Sequence, residues 1–213
     1  MKPKIALFLH QPMCSVQSGN RIINALSSHY DFRIFTKHEL EAGFFDKIDI
    51  VAFPGGFGNS DSHNYLLKNN SKIIVDFVNN GGKYLGICMG AYWTGSHYFK
   101  LLEGIDAVQY YKRPNACTRR PHTKAMPVVW NGQDEKMFFN DGCTFVGKGN
   151  YETYATYSNG EPMAIIQNNL GLVGCHPESE KFWYDSYRRM PTHWHRGTHH
   201  KLLLNFVNEL MLR

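Results

Sequence analysis

Apolar residues in this chain fall into short runs bounded by turn residues, and these runs alternate with stretches whose apolar positions recur every three to four residues. Residues 5–10 (IALFLH) predict a first strand, followed by a loop containing Pro12 and Gly19 and a helix over about 19–28. Residues 31–36 (DFRIFT) alternate as a second strand, and 48–53 (IDIVAF) form a third that stops abruptly at Pro54-Gly55-Gly56. A helix over about 66–79 ends at Asn80-Gly81-Gly82, and 83–87 (KYLGI) then reads as a buried strand. From Ala125 onward the rhythm changes to short β-type runs at 126–130, 144–147, 151–157 and 162–166, before 171–175 and a closing amphipathic helix over about 199–212.

Strands that are apolar throughout and alternate with helices imply a parallel sheet covered on both faces, with ligands at the carboxyl ends of its strands. The later β-runs read as an antiparallel extension of that sheet. The expectation is an α/β three-layer sandwich forming a single domain over 1–213, since a chain of 213 residues suits one sizeable core and is short for two. No internal repeat or low-complexity linker interrupts it.

Both glycine-rich turns, after Phe53 and after Ile87, fall at that carboxyl edge. Gly86-Ile87-Cys88-Met89-Gly90 has the G-x-nucleophile-x-G form, in which a strand turns sharply into a helix and glycines at both flanks let the chains pass closely. A cysteine at such a helix N-terminus is expected to favour thiolate. The N–H of Met89 and a donor from Gly55 or Gly56 are candidates for an oxyanion hole. His176 follows the apolar 172–175 run, where a proton carrier for Cys88 belongs, and Glu178 stands two residues on. If the extended conformation persists through Pro177, His176 and Glu178 point to the same side, so the carboxylate orients the imidazole and stabilises its cation.

These same residues carry a family resemblance. The order of strand-PGG, GGKYLGICMGAY and GLVGCHPES resembles the class I glutamine amidotransferase superfamily, whose elbow nucleophile and His-x-Glu pair match Cys88, His176 and Glu178. The further segments FFNDGCTF and YETYATYSNGEPMAIIQNNLGLVGCHPE look most like the family named for the N-terminal domain of eukaryotic biotin protein ligases. The resemblance implies a mostly parallel, flavodoxin-like sheet and a thioester route on glutamine or a γ-glutamyl-like amide. Ligation is not implied, because the chain shows no glycine- and arginine-rich adenylate loop and no synthetase domain; nitrogen transfer would need a separate synthetase or acceptor protein. ThiJ/PfpI-like relatives usually place a His directly after the elbow Cys, where this chain has Met89. The alternative function is a non-catalytic small-molecule-binding or regulatory module of the same fold.

Composition changes this picture little. The formal charge of +5 is mildly basic, tolerates anionic ligands, and without a recognition motif assigns no nucleic acid. No apolar run reaches membrane length, and the first one is too short for a signal-peptide core, so no membrane association is expected. Five widely spaced cysteines without CxxC pairs point to reduced thiols, a cytoplasmic setting and no zinc site. The irregular basic segment 110–124 makes Arg119 and Arg120 candidate anion-binding residues on a lid, set against the plainer reading of a solvated loop. The histidine-rich segment 193–200 lacks a familiar ligand spacing, so no metal is assigned there and no cofactor elsewhere. Tyr92, Trp93, Tyr98 and Phe99 are divided between walling the pocket and packing the core.

Overall fold

A computed structural model describes residues 2–11, 13–56 and 60–213; Pro12, assigned above to the first loop, lies outside the described residues. The chain runs β1 (Lys4–Phe8), α1 (Val16–Leu26), β2 (Asp31–Phe35), β3 (Ile50–Phe53), α2 (Ser62–Leu67), α3 (Ser71–Asn79), β4 (Lys83–Ile87) and α4 (Met89–Tyr92). It continues through β5 (Ile105–Gln109), β6 (Lys124–Trp130), β7 (Gln133–Phe139), β8 (Cys143–Gly147), β9 (Glu152–Tyr157), β10 (Pro162–Gln167) and β11 (Leu170–Val173), and ends with α5 (Lys181–Asp185) and α6 (Thr198–Met211).

Among the described residues, nine strands form one sheet in the order β2-β1-β3-β4-β11-β10-β9-β6-β7. Pairing is parallel from β2 through β11 and antiparallel from β11 outward, which is the mixed sheet the sequence pattern predicts. Alternate residues of each parallel strand feed the two faces. Ile5 and Leu7 pack with Ile22, Leu26 and Phe206 of α1 and α6, whereas Ala6 and Phe8 pack with Leu66, Ile74 and Val78 of α2 and α3. These two apolar layers make a three-layer sandwich.

Four local expectations are corrected. The first helix begins at Val16 because Ser15 caps it, accepting from the Ser18 N–H at 3.1 Å. Gly19 thereby lies inside the helix, where a Cβ would stand 2.3 Å from Leu9 Cδ2. The helix expected over 66–79 is two helices, α2 and α3. The run at 144–147 is not part of the main sheet. As β8 it pairs with β5, an unpredicted strand, in a separate two-stranded ribbon. Its partner lies far upstream, so no local hairpin signal marks the pairing, and the ribbon closes only because glycines permit contact: a Cβ on Gly147 would meet Gly104 O at 2.3 Å. Finally, the elbow helix α4 is four residues long, too short for an aligned-dipole argument of the kind made from the sequence.

The register places the functional edge. Phe53 stands opposite Gly86, and Val173 opposite Ile87, so the carboxyl ends of β3, β4 and β11 finish side by side. Whatever follows Phe53, Ile87 and Val173 therefore meets at one place.

Candidate active site

The elbow explains its own glycines. Cys88 leaves β4 with φ 51° and ψ −105°, a backbone conformation rare for any side-chain-bearing residue. Its N–H is held by Val173 O at 2.8 Å on the neighbouring strand, so the turn is fixed from outside. A Cβ on Gly90 would lie 2.1 Å from Phe53 O, and one on Gly86 would lie 2.6 Å from Gly90 O. The elbow thus closes only with glycine at both flanks. The sulfur sits 3.6 Å from Asn140 O, and Cys88 retains 8% of its surface at the mouth of the site.

His176 reaches the sulfur from β11 without help from a continuing strand, since β11 ends at Val173. Its N–H donates to Phe138 O at 2.9 Å, forming an isolated bridge to β7. A strand absent from the sequence reading thus anchors a residue present in it. His176 Nδ1 lies 2.9 Å from Glu178 Oε1, both side chains being buried, so Nε2 is left to serve Cys88. Burial works against the imidazolium, but the Glu178 carboxylate, with the charge and hydrogen bond of the Cys88 sulfur, outweighs it and lifts the His176 pKa from 6.5 to about 10. The Glu178 carboxylate thus favours the protonated imidazole, the form that can donate a proton.

Glu178 has a second partner that sequence reasoning missed. The Ser18 hydroxyl donates to Glu178 Oε1 at 2.6 Å and accepts the Gly55 N–H at 3.1 Å. Ser18 is fully buried in the first turn of α1, a helix that starts beside the carboxyl edge of the sheet. The one available signal was the Ser15-x-x-Ser18 spacing at that helix start, which reads first as a cap.

This bond changes the role assigned to Gly55. Its amide is committed to Ser18, so it is not a free oxyanion donor; instead the residue makes room, since a Cβ there would come within 2.7 Å of His176 Cε1. Gly56 and Met89 border the same cavity as Cys88. They are pressed together closely enough that a Gly56 Cβ would fall 2.0 Å from Met89 Sδ.

Arg119 and Arg120 do not line the cavities at Cys88. The Arg119 guanidinium donates to the carbonyls of Arg113, at 2.8 Å, and Pro114, and is spent on tying its own loop. The segment nevertheless reaches the site through Pro121, His122 and Thr123. Tyr92 lines the site, its hydroxyl 3.2 Å from Asp141 O, while Trp93 and Phe99 are buried in the core. The histidine-rich segment forms a prop behind Glu178: Nε2 of both His195 and His200 lies 3.0 Å from Ser179 O, and His199 Nε2 lies 3.0 Å from Glu135. Among the described residues, no three His, Cys, Asp or Glu side chains are placed to hold a metal ion, and no helix is long and apolar enough to cross a membrane.

Known proteins resemble this chain at two levels. Residues 13–108 match the family described as "Biotin-protein ligase, N terminal". No protein of curated function matches the chain in sequence. Among solved structures, a glutamine amidotransferase from Thermotoga maritima superposes with a TM-score of 0.70 at 13% identity, covering 100% of both chains. PurLQS from the same organism gives a TM-score of 0.67 at 14% identity, covering 99% of this chain and 100% of that one. A glutamine amidotransferase from Methylobacillus flagellatus gives 0.58 at 13%, covering 100% of this chain and 90% of its own. The fold is therefore that of glutamine amidotransferases, joined to a sequence resemblance to the biotin-protein ligase N-terminal family.

Proposed function

We propose that this chain, a single domain of the glutamine amidotransferase fold, is a cysteine-dependent amide hydrolase or amidotransferase. The observation that carries the reading is the buried His176–Glu178 pair at 2.9 Å, set beside a cysteine held at positive φ on a strand-to-helix elbow. In the first step the Cys88 thiolate attacks the amide carbonyl, and the negative charge moves to an oxygen facing the N–H groups of Gly56 and Met89. The carbon–nitrogen bond then breaks while the His176 imidazolium gives its proton to the departing amine, leaving a thioester. Water attacks that thioester as neutral His176 takes a proton from it; the carbon–sulfur bond breaks, releasing the acid and restoring the thiolate beside a cationic His176.

Glutamine or a γ-glutamyl-like amide is the substrate class we infer from the fold, with a separate synthetase or acceptor protein required wherever nitrogen is to be transferred and not merely released. The site needs neither nucleic acid nor a bound cofactor for these steps. A direct test is to mix the protein with glutamine and γ-glutamyl amides, quench in acid, and weigh the intact chain. A Cys88-linked acyl adduct that disappears in Cys88→Ala supports the proposal. Absence of adduct and of turnover with every amide would favour the non-catalytic ligand-binding module instead.

A further inference from the structure

Cys88 stands at the junction of two cavities that differ in character, one the more polar and the other the more aromatic. One, of about 270 Å³, is bordered by His122, Asn140 and Asp141, with Met89, Tyr92 and Pro121. The other, of about 320 Å³, is walled by Phe138, Phe182, Trp183 and Tyr187. Gly56, Cys88 and Asn140 border both, but His176 borders only the aromatic one. That asymmetry assigns the two halves of an amide, because the group that protonates the leaving nitrogen must face the side on which the nitrogen departs.

We propose that the aromatic cavity binds an apolar substituent on the amide nitrogen, so that the preferred substrate is an N-alkylated or N-aralkylated amide whose acyl part occupies the polar cavity. The inference rests on the catalytic reading above and adds the substrate class. Size supports it: free ammonia, comparable to a water molecule at about 30 Å³, would occupy only a tenth or so of the aromatic cavity. So does the wall. Trp183 and Phe138 meet edge to face at 5.1 Å, and Trp183 stands 5.6 Å from the His176 ring, so a flat or branched apolar group would lie against rings beside the proton donor. Phe182 and Tyr187 are 41% and 44% exposed, leaving apolar surface at the entrance that a substrate would cover.

The test compares two probes with the same acyl group and leaving amines of similar basicity, N-γ-glutamyl-phenethylamine and N-γ-glutamyl-methylamine. Their affinity for the Cys88→Ala protein is measured by calorimetry and their hydrolysis by wild type is followed in parallel. The phenethyl amide is expected to bind at least about 10-fold more tightly, the scale expected for burying a few methylene equivalents. That preference should collapse in Trp183→Ala and shrink in Phe182→Ala, the latter an exposed position whose replacement spares the core. Equal affinities, binding of neither probe, or a preference unchanged in both variants would overturn the proposal. A clear binding preference without turnover by wild type would keep the aromatic cavity as a ligand site but end the catalytic reading and the substrate assignment with it; turnover of both amides at equal kcat/KM would do the reverse.

Discussion

The Ser18 hydroxyl lies 2.6 Å from Glu178 Oε1, joining the first helix of the chain to the last member of the Cys88–His176–Glu178 constellation. The two residues are 160 positions apart, and the bond runs on to the backbone, since Ser18 Oγ also accepts from the Gly55 N–H. Glu178 thus holds two hydrogen bonds on one oxygen, from the imidazole and from the serine, while its other oxygen, Oε2, is buried without a partner among the described residues. A buried carboxylate so placed depends heavily on the bonds it has.

Ser18→Ala removes one of them. A hydrogen bond to a charged group is worth about 1.5–3 kcal/mol, so kcat should fall about 10-fold or more while KM changes little. A merely structural role would lower stability alone. Acting through Glu178, the substitution should also move the alkaline limb of the rate profile downward, because a less firmly held carboxylate supports the imidazolium less well. A pH–rate profile of the variant beside wild type checks both effects.

The His176 shift makes its own prediction for stability. Its folded pKa is raised to about 10 against an ordinary 6.5, so its favourable contribution is fully present below pH 6.5 and is lost as the pH rises through about 10. Wild type should therefore exceed Glu178→Gln in Tm by a wide margin near pH 6, with the gap narrowing steadily toward pH 10. A gap of constant size across that window would assign the stabilisation to packing.

Behind the site, the histidine prop responds in the opposite sense. Burial, with the nearby His199 and His200, lowers His195 to about 3, and burial together with His200 lowers His199 to about 4. Both stay neutral in the folded chain while the unfolded chain takes up protons below pH 6.5. Stability should be fully present above that pH and decline as the pH falls from 6.5 toward 4. Thermal melts over this range should show the decline, and His199→Gln should make it shallower.

Cys88 holds a strained backbone conformation. At φ 51° and ψ −105° a side chain costs of order 1–3 kcal/mol, which glycine would relieve less its own entropic penalty. Cys88→Gly should accordingly be more stable than Cys88→Ala by about 1 kcal/mol, both being inactive. By contrast, Gly90→Ala should be severely destabilising, since its Cβ would be driven into Phe53 O. Urea denaturation of the three variants orders them.

The sequence disclosed the parts of the site that are short and local. The elbow glycines, the strand before them and the His176-x-Glu178 spacing are each legible within a few residues, and the carboxyl-edge rule brings them together. What escaped depends on contacts between distant segments. β7 anchors His176 through Phe138 O, yet its sequence QDEKMFF begins too polar to announce a strand. Ser18 looks like an ordinary cap residue until the fold places Glu178 against it. Arg119 and Arg120 drew attention by charge, whereas the residues of that loop at the site are the neighbouring Pro121, His122 and Thr123. Charge marks a segment without saying which side chains turn inward.

If Cys88 is a nucleophile served by His176, it should be the most reactive of the five thiols. Cys14, Cys143 and Cys175 are buried, and burial raises all three thiol pKa values, that of Cys14 to about 12. Cys117 is the exposed competitor. Brief, substoichiometric iodoacetamide treatment near pH 6, followed by peptide mass spectrometry of wild type and His176→Ala, therefore compares these thiols in one experiment. Alkylation of Cys88 ahead of Cys117 in wild type, with that order reversed in His176→Ala, is the predicted result; Cys88 reacting no faster than Cys117, or equally fast with and without His176, would contradict it.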